Sequence, residues 1–166
     1  GKIEIATQAE VVTGSDDARA VTPLKLACHQ ACMTRAAAQS IPTATATKIA
    51  FDTEEYDVGG IADITTNDRF NISRTGYYFV HAQWLISTVD ANEPAQVQIY
   101  KNGAAIRVGD ARAVGANNEV YPQWAGILSL AASDTLELYV YHAEGAAQNT
   151  STTAIGRPRM SVAQLH

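Results

Sequence analysis

The residues with the most obvious local chemistry are Cys28, His29 and Cys32, two thiols and an imidazole within five positions. Zinc is held by four such ligands in a closed tetrahedral shell, and no fourth ligand lies nearby. Small buried or seam-facing thiols that pack like modest hydrophobes are therefore expected, with no metal. Asp52, Glu54, Glu55 and Asp57 put four carboxylates into six positions, oxygen chemistry that would suit calcium. The Asp/Asn-plus-Gly loop of a dedicated calcium site is missing, so a solvated acidic loop is expected. His29, His81, His142 and His166 are scattered without a carboxylate or second imidazole at ligand spacing, which points to structural polar roles for His81 and His142. No nucleophile elbow, zinc-binding helix or glycine-rich phosphate loop occurs. The expectation is no catalytic residue, no cofactor and no enzyme. A glycan-degrading enzyme with paired carboxylates assembled across a subunit interface is the weakest of three functional alternatives.

Bulk properties narrow the partners. The net charge of −5, with twelve Lys and Arg spread singly, supplies no basic stripe for a phosphate backbone, so nucleic acid is not an expected partner. No apolar run approaches the roughly 18 residues of a membrane span, so membrane insertion is not expected either. Two cysteines in one segment make no disulfide framework and suit folding in a reducing cytoplasm. At 166 residues there is room for one core of ordinary size and an appendage.

The elements that must position any site change character near Ser40, Ile41 and Pro42. Before that junction Ala, Thr and charged residues dominate, and residues 1–42 are expected to be a helical stalk. Thr7-Gln8-Ala9-Glu10 has the spacing of a capping box, Gly14 a stop, and Thr22-Pro23 the N-cap and first position of a second helix running to about Gln39. Along it Leu24, Cys28, Ala31, Arg35 and Ala38 recur every three or four residues, the period of a coiled-coil seam. Residues 43–166 are expected to form the head. Alternation over 96–101, then Asn102-Gly103, then extended residues 104–108 predicts a hairpin with a type I′ turn. Further strands are expected at Lys48–Phe51, Arg69–Ile72, Gly76–Thr88, Tyr121–Leu130, Thr135–His142 and Arg157–Gln164. About eight strands without helical period between them imply an antiparallel sandwich or jelly roll.

Two stretches carry resemblances. Ile5 through Leu26, reading IATQAEVVTGSDDARAVTPLKL, resembles a short repeat of bacteriophage tail fibres. Residues from about Thr45 to Leu165 resemble the trimeric jelly rolls of the tumour-necrosis-factor and complement globular-head superfamily. The carriers are Arg69-Phe70 followed by Gly76-Tyr77-Tyr78-Phe79-Val80, with Tyr78 at the family's buried tyrosine, then IYKNG at 99–103, then Leu128-Ser129-Leu130 with Asp134 to Leu138. Ser133-Asp134 stands where that family usually has Gly-Asp, and Met160 or Val162 where its last strand carries Phe. The resemblances imply a mainly β, homotrimeric head on a tail fibre, made in the bacterial cytoplasm and carried on the virion.

Candidate surfaces follow from alternation. In Gly76–Thr88, residues Tyr78, Val80, Ala82, Trp84 and Ile86 should face the core, leaving Tyr77, Phe79, His81, Gln83 and Leu85 outside. In Thr135–His142 the leucine face should be core, turning Tyr139 and Tyr141 outward. Tyr77, Phe79, His81, Tyr139 and Tyr141, with Leu24, Cys28 and Ala31 of the stalk, are the candidate trimer contacts. Receptor contact is expected in loops at the sheet ends: Asp90, Asn92 and Glu93; Asn117, Asn118 and Glu119; Glu144, Gln148 and Asn149. The expected partners are two further copies of the chain, an upstream fibre segment and a bacterial surface glycan or outer-membrane receptor. A purely structural role in trimerisation and fibre registration is the second alternative.

Overall fold

A computed structural model describes residues 4–7, 10–11, 20, 28–116 and 118–165. Its named elements are β1 (Gln30–Thr34), β2 (Ser40–Ile41), β3 (Thr47–Lys48), β4 (Thr53–Val58), β5 (Ala62–Asp63), β6 (Arg69–Asn71), β7 (Gly76–Gln83), β8 (Ile86–Val89), β9 (Pro94–Lys101), β10 (Ala104–Arg112), β11 (Asn118–Val120), β12 (Gln123–Leu130), β13 (Thr135–His142), β14 (Gln148–Asn149) and β15 (Arg159–Gln164). The ladder pairs among them are antiparallel. One sheet runs β12-β7-β15-β1-β4; the other runs β10-β9-β13-β6-β5, with β3 on β13. They face each other across a single core, a jelly-roll sandwich.

Alternation places that core as expected. Tyr78, Val80, Ala82, Trp84 and Ile86 are fully buried, against Val97 and Ile99 of β9 and Leu136, Leu138 and Val140 of β13 in one cluster. The polar atoms of the large aromatics are satisfied, as burial demands: the Tyr78 hydroxyl donates to the Arg74 carbonyl at 2.8 Å and the Trp84 indole to the Gln96 carbonyl at 3.1 Å. The β9–β10 hairpin has its expected turn, with φ positive at both Asn102 and Gly103 (52° and 80°). The capping box is present too: the Thr7 N–H donates to the Glu10 carboxylate at 2.7 Å and the Glu10 N–H to the Thr7 hydroxyl at 3.3 Å.

Three expectations are corrected. The helix read to about Gln39 does not form over 30–34, which is strand β1, paired with β15 on one side and β4 on the other. Ala31 and Met33 point into the core, so Ala31 is a core residue and no seam position. The vacancy between two long strands outweighs the modest helix propensity of an Ala-rich stretch. Beyond β1, Arg35 to Gln39 is loop, the Asp52 carboxylate accepting the N–H groups of Ala36 and Ala37 at 2.7 and 2.8 Å. The head's sheets thus begin before the expected junction at residue 42. Second, the long strand breaks after Gln83, and Leu85 is buried beneath Gly156 instead of facing out, its N–H bonded to the Gly156 carbonyl. Third, the acidic stretch is edge strand β4, not a loop.

Leu24, Asn117 and His166 lie outside the described residues, as does most of the repeat at 5–26 and the start of the expected second helix.

Candidate functional site

Strand direction sorts the loops. Gln30 pairs with Ala163 and Thr34 with Arg159, so β1 starts at the end of the sandwich where β15 finishes. The hairpin turn at 102–103 and the turn at 131–134 belong to that end. At the far end lie the connections β7–β8–β9, β10–β11–β12 and β13–β14–β15, which contain all three expected receptor loops.

Those loops are joined to one another. The Asp90 N–H donates to the Glu144 carboxylate at 2.9 Å, and the Thr88 hydroxyl to the Gln148 side-chain carbonyl at 3.0 Å. Asn118 pairs with Val89 across β11 and β8. Asn92, at positive φ (68°), donates its N–H to the Ala113 carbonyl at 3.0 Å and accepts from Arg112 on its own carbonyl at 2.8 Å. Gln148 and Asn149 pair with Ile41 and Ser40. Asp90, Asn92, Asn118, Glu119 and Asn149 are exposed, Glu93, Glu144 and Gln148 half-buried. The result is a polar surface rich in carboxylate and amide groups.

His142 anchors this surface from below. It is fully buried, with one ring nitrogen on the Ile41 carbonyl at 2.9 Å and the other accepting the Glu144 N–H at 3.3 Å. One nitrogen thus faces an acceptor while the other faces a donor. Its role is structural, as the sequence suggested. His29, at the opposite end, bonds Ser73 at 2.8 Å and packs flat under Gly59, whose φ of 108° and lack of a Cβ admit the ring. Burial, aided by Arg74, pushes the His29 pKa below its ordinary value, against the pull of Asp57.

The candidate contact residues separate into two groups. Tyr77, Phe79 and His81 lie on the outward face of the five-stranded sheet. Register extends that face into a row across all five strands: Ile127, Phe79, Ala163, Gln30, Val58. Tyr77, Ile127, Val58 and Phe79 are 63%, 59%, 45% and 43% exposed, so a large apolar surface stands open. The sequence reading missed Val58 and Tyr56 because they sit beside acidic residues read as a loop, and Ile127 because the faces of the Tyr121–Leu130 strand were not sorted. Tyr139 and Tyr141 lie on the other sheet and face the opposite way. Tyr139 stacks on Tyr100 of its own sheet at 3.9 Å.

Neither cysteine is poised for metal. Among the described residues no group of three or more His, Cys, Asp or Glu side chains could hold an ion. Cys32 is buried beside Arg159, whose guanidinium donates to the sulfur at 3.1 Å; burial pushes the thiol pKa up, against that guanidinium. The acidic stretch disperses: Asp52 serves Ala36 and Ala37, Asp57 the N–H groups of Ile61 and Ala62, and Glu55 pairs with Arg159.

Two facing antiparallel sheets of this kind recur in known structures. Murine APRIL at pH 8.0 is similar over 84% of this chain and 100% of its own, with 14% identity and a TM-score of 0.61. Eiger TNF from S. frugiperda is similar over 84% of this chain and 92% of its own, with 9% identity and a TM-score of 0.56. The fold is TNF-like. At such identities the likeness concerns the TNF-like backbone and leaves the loops of this chain their own. No family model matches the sequence, and no curated protein does.

Proposed function

We propose that this chain is the receptor-binding head of a bacteriophage tail fibre, acting as a homotrimer and by adhesion without catalysis. The observation that carries the reading is the joining of three loops, distant in sequence, at the end of the sandwich opposite the start of β1. A chain entering at one end and presenting a rigid polar surface at the other has the layout of a fibre tip. Loops fixed on a β scaffold are where recognition is placed in such folds. Three copies of a weak site on one rigid body gain avidity when receptors are dense. The tail-fibre assignment, and with it a place on the virion after synthesis in the bacterial cytoplasm, rests on the ATQAE to RAVTP resemblance. The receptor is a glycan or protein of the bacterial outer surface, and Asn, Gln and carboxylate groups at the tip suit hydroxyl-rich ligands.

The open apolar row on the five-stranded sheet favours a second reading, in which the head only trimerises and registers the fibre. Whole-cell binding separates the two. Purified chain should bind host cells, and replacing Glu144 to Thr153 with Gly and Ser should abolish binding while trimers persist. Binding that survives the replacement leaves only the structural role.

A further inference from the structure

The two sheets turn different chemistry outward. On β9 the outward residues are Gln96, Gln98 and Tyr100, and on β13 Glu137, Tyr139 and Tyr141, all half-buried. Register sets Gln96 opposite Tyr141 and Gln98 opposite Tyr139. The rings of Tyr100 and Tyr139 stack at 3.9 Å with planes 23° apart. Alongside them the amides form a ladder. The Tyr100 hydroxyl donates to Gln98 at 3.5 Å, the Gln98 amide to Gln96 at 3.0 Å, and the Gln96 amide to Asp110 of β10 at 3.1 Å. Alternate strand residues stand about 7 Å apart, so the strip is about 14 Å long.

Its charges are matched within the face: Lys48 pairs with Glu137, and Arg112 with Asp110 at 3.2 Å. The surface therefore offers donors and acceptors without net charge. A primary amide has two N–H groups and a two-lone-pair oxygen, so each rung keeps hydrogen-bonding capacity beyond the ladder. The ladder holds these groups in place beforehand, which lowers the ordering cost of binding. A nucleic acid or acidic polymer would need unmatched cations, and a second copy of the chain would seek apolar area such as the opposite sheet displays.

We propose that this strip, built on Gln96, Gln98, Tyr139 and Tyr141, binds a neutral linear glycan, its hydroxyls on the amides and its C–H faces against the rings. The site lies apart from the loops of the fibre-tip reading and stays open when the opposite sheet is covered.

Affinity electrophoresis of the full chain through gels containing dextran, mannan, galactan or polygalacturonate tests it. At least one neutral polymer should retard the protein and polygalacturonate should not. Tyr139→Ala, and Gln96→Ala with Gln98→Ala as the milder surface change, should each weaken retardation by about fivefold or more. The chain with residues 144–153 replaced should be retarded as before. Retardation by no neutral polymer, by polygalacturonate alone, or equally for wild type and ladder variants overturns the proposal. Loss that follows the loop replacement instead also overturns it and puts the glycan at the tip.

Discussion

Asp134 shows how one side chain holds two turns together. Its carboxylate accepts the Ala131 N–H at 2.8 Å and the Asn102 amide at 2.7 Å, and pairs with Lys101 at 2.7 Å. Burial works against its ionisation, but Lys101, the Ala131 N–H and Asn102 outweigh it and hold the pKa below the ordinary 3.8. A folded pKa depressed below the unfolded one means stability that is present above about pH 4 and is lost as pH falls through the lower folded value. The melting temperature should therefore fall as pH drops below about 4. Asp134→Ala should lower stability by about 1–3 kcal/mol at neutral pH, through the unpaired groups it leaves, and flatten that acid limb. An acid limb as steep as that of the wild type in differential scanning calorimetry would remove Asp134 from the account. Asp52 contributes in the same sense: burial opposes ionisation, and the Ala36 and Ala37 N–H groups with Arg35 prevail.

At the scale of elements, the sandwich closes along the edge where β10 meets β12. Gly109 makes that closure possible, since a Cβ there would stand 2.0 Å from the Gln123 carbonyl oxygen and 2.9 Å from a Val97 methyl. The nearest obstacle is backbone, so neither strand can yield by a rotamer change. Gly109→Ala should force the edges apart and cost about 1–3 kcal/mol, as overpacking does, read as a lower urea midpoint. Much of this layer was legible beforehand. Strands β7, β9, β12, β13 and β15 alternate between more buried and more exposed residues, and Asn102-Gly103 names its own turn. β1 and β4 were illegible because their partners, not their composition, make them strands. Ala31 and Met33 alternate too briefly to register among alanines, and the three acidic residues of β4 tolerate an edge position whose other side faces water.

For the whole molecule, the open row of Ile127, Phe79, Ala163 and Val58 sets the expected association. Large apolar side chains exposed side by side, as Ile127 and Phe79 are, mark a candidate contact surface. Phe79→Asp with Ile127→Asp should convert the proposed trimer to monomers in sedimentation equilibrium without unfolding them, because both side chains point away from the core. Tyr139→Asp should leave trimers intact, since that ring belongs to the opposite sheet. Dissociation by the Tyr139 change and not by the pair would invert the assignment of faces.

Side-chain alternation and turn chemistry are local, so the sequence by itself determined the mainly β class, the hydrophobic face of each long strand, the Asn102-Gly103 hairpin and the loops that end up at the tip. Which outward faces look the same way depends on the sheet to which each strand is dealt, a matter of pairing between residues distant in sequence, such as Ile127 with Phe79 and Gln30 with Ala163. Only the tertiary structure could therefore part Tyr77 and Phe79 from Tyr139 and Tyr141, set Ile127 beside Phe79, and turn Gln30 to Thr34 from a helix into the strand between β15 and β4.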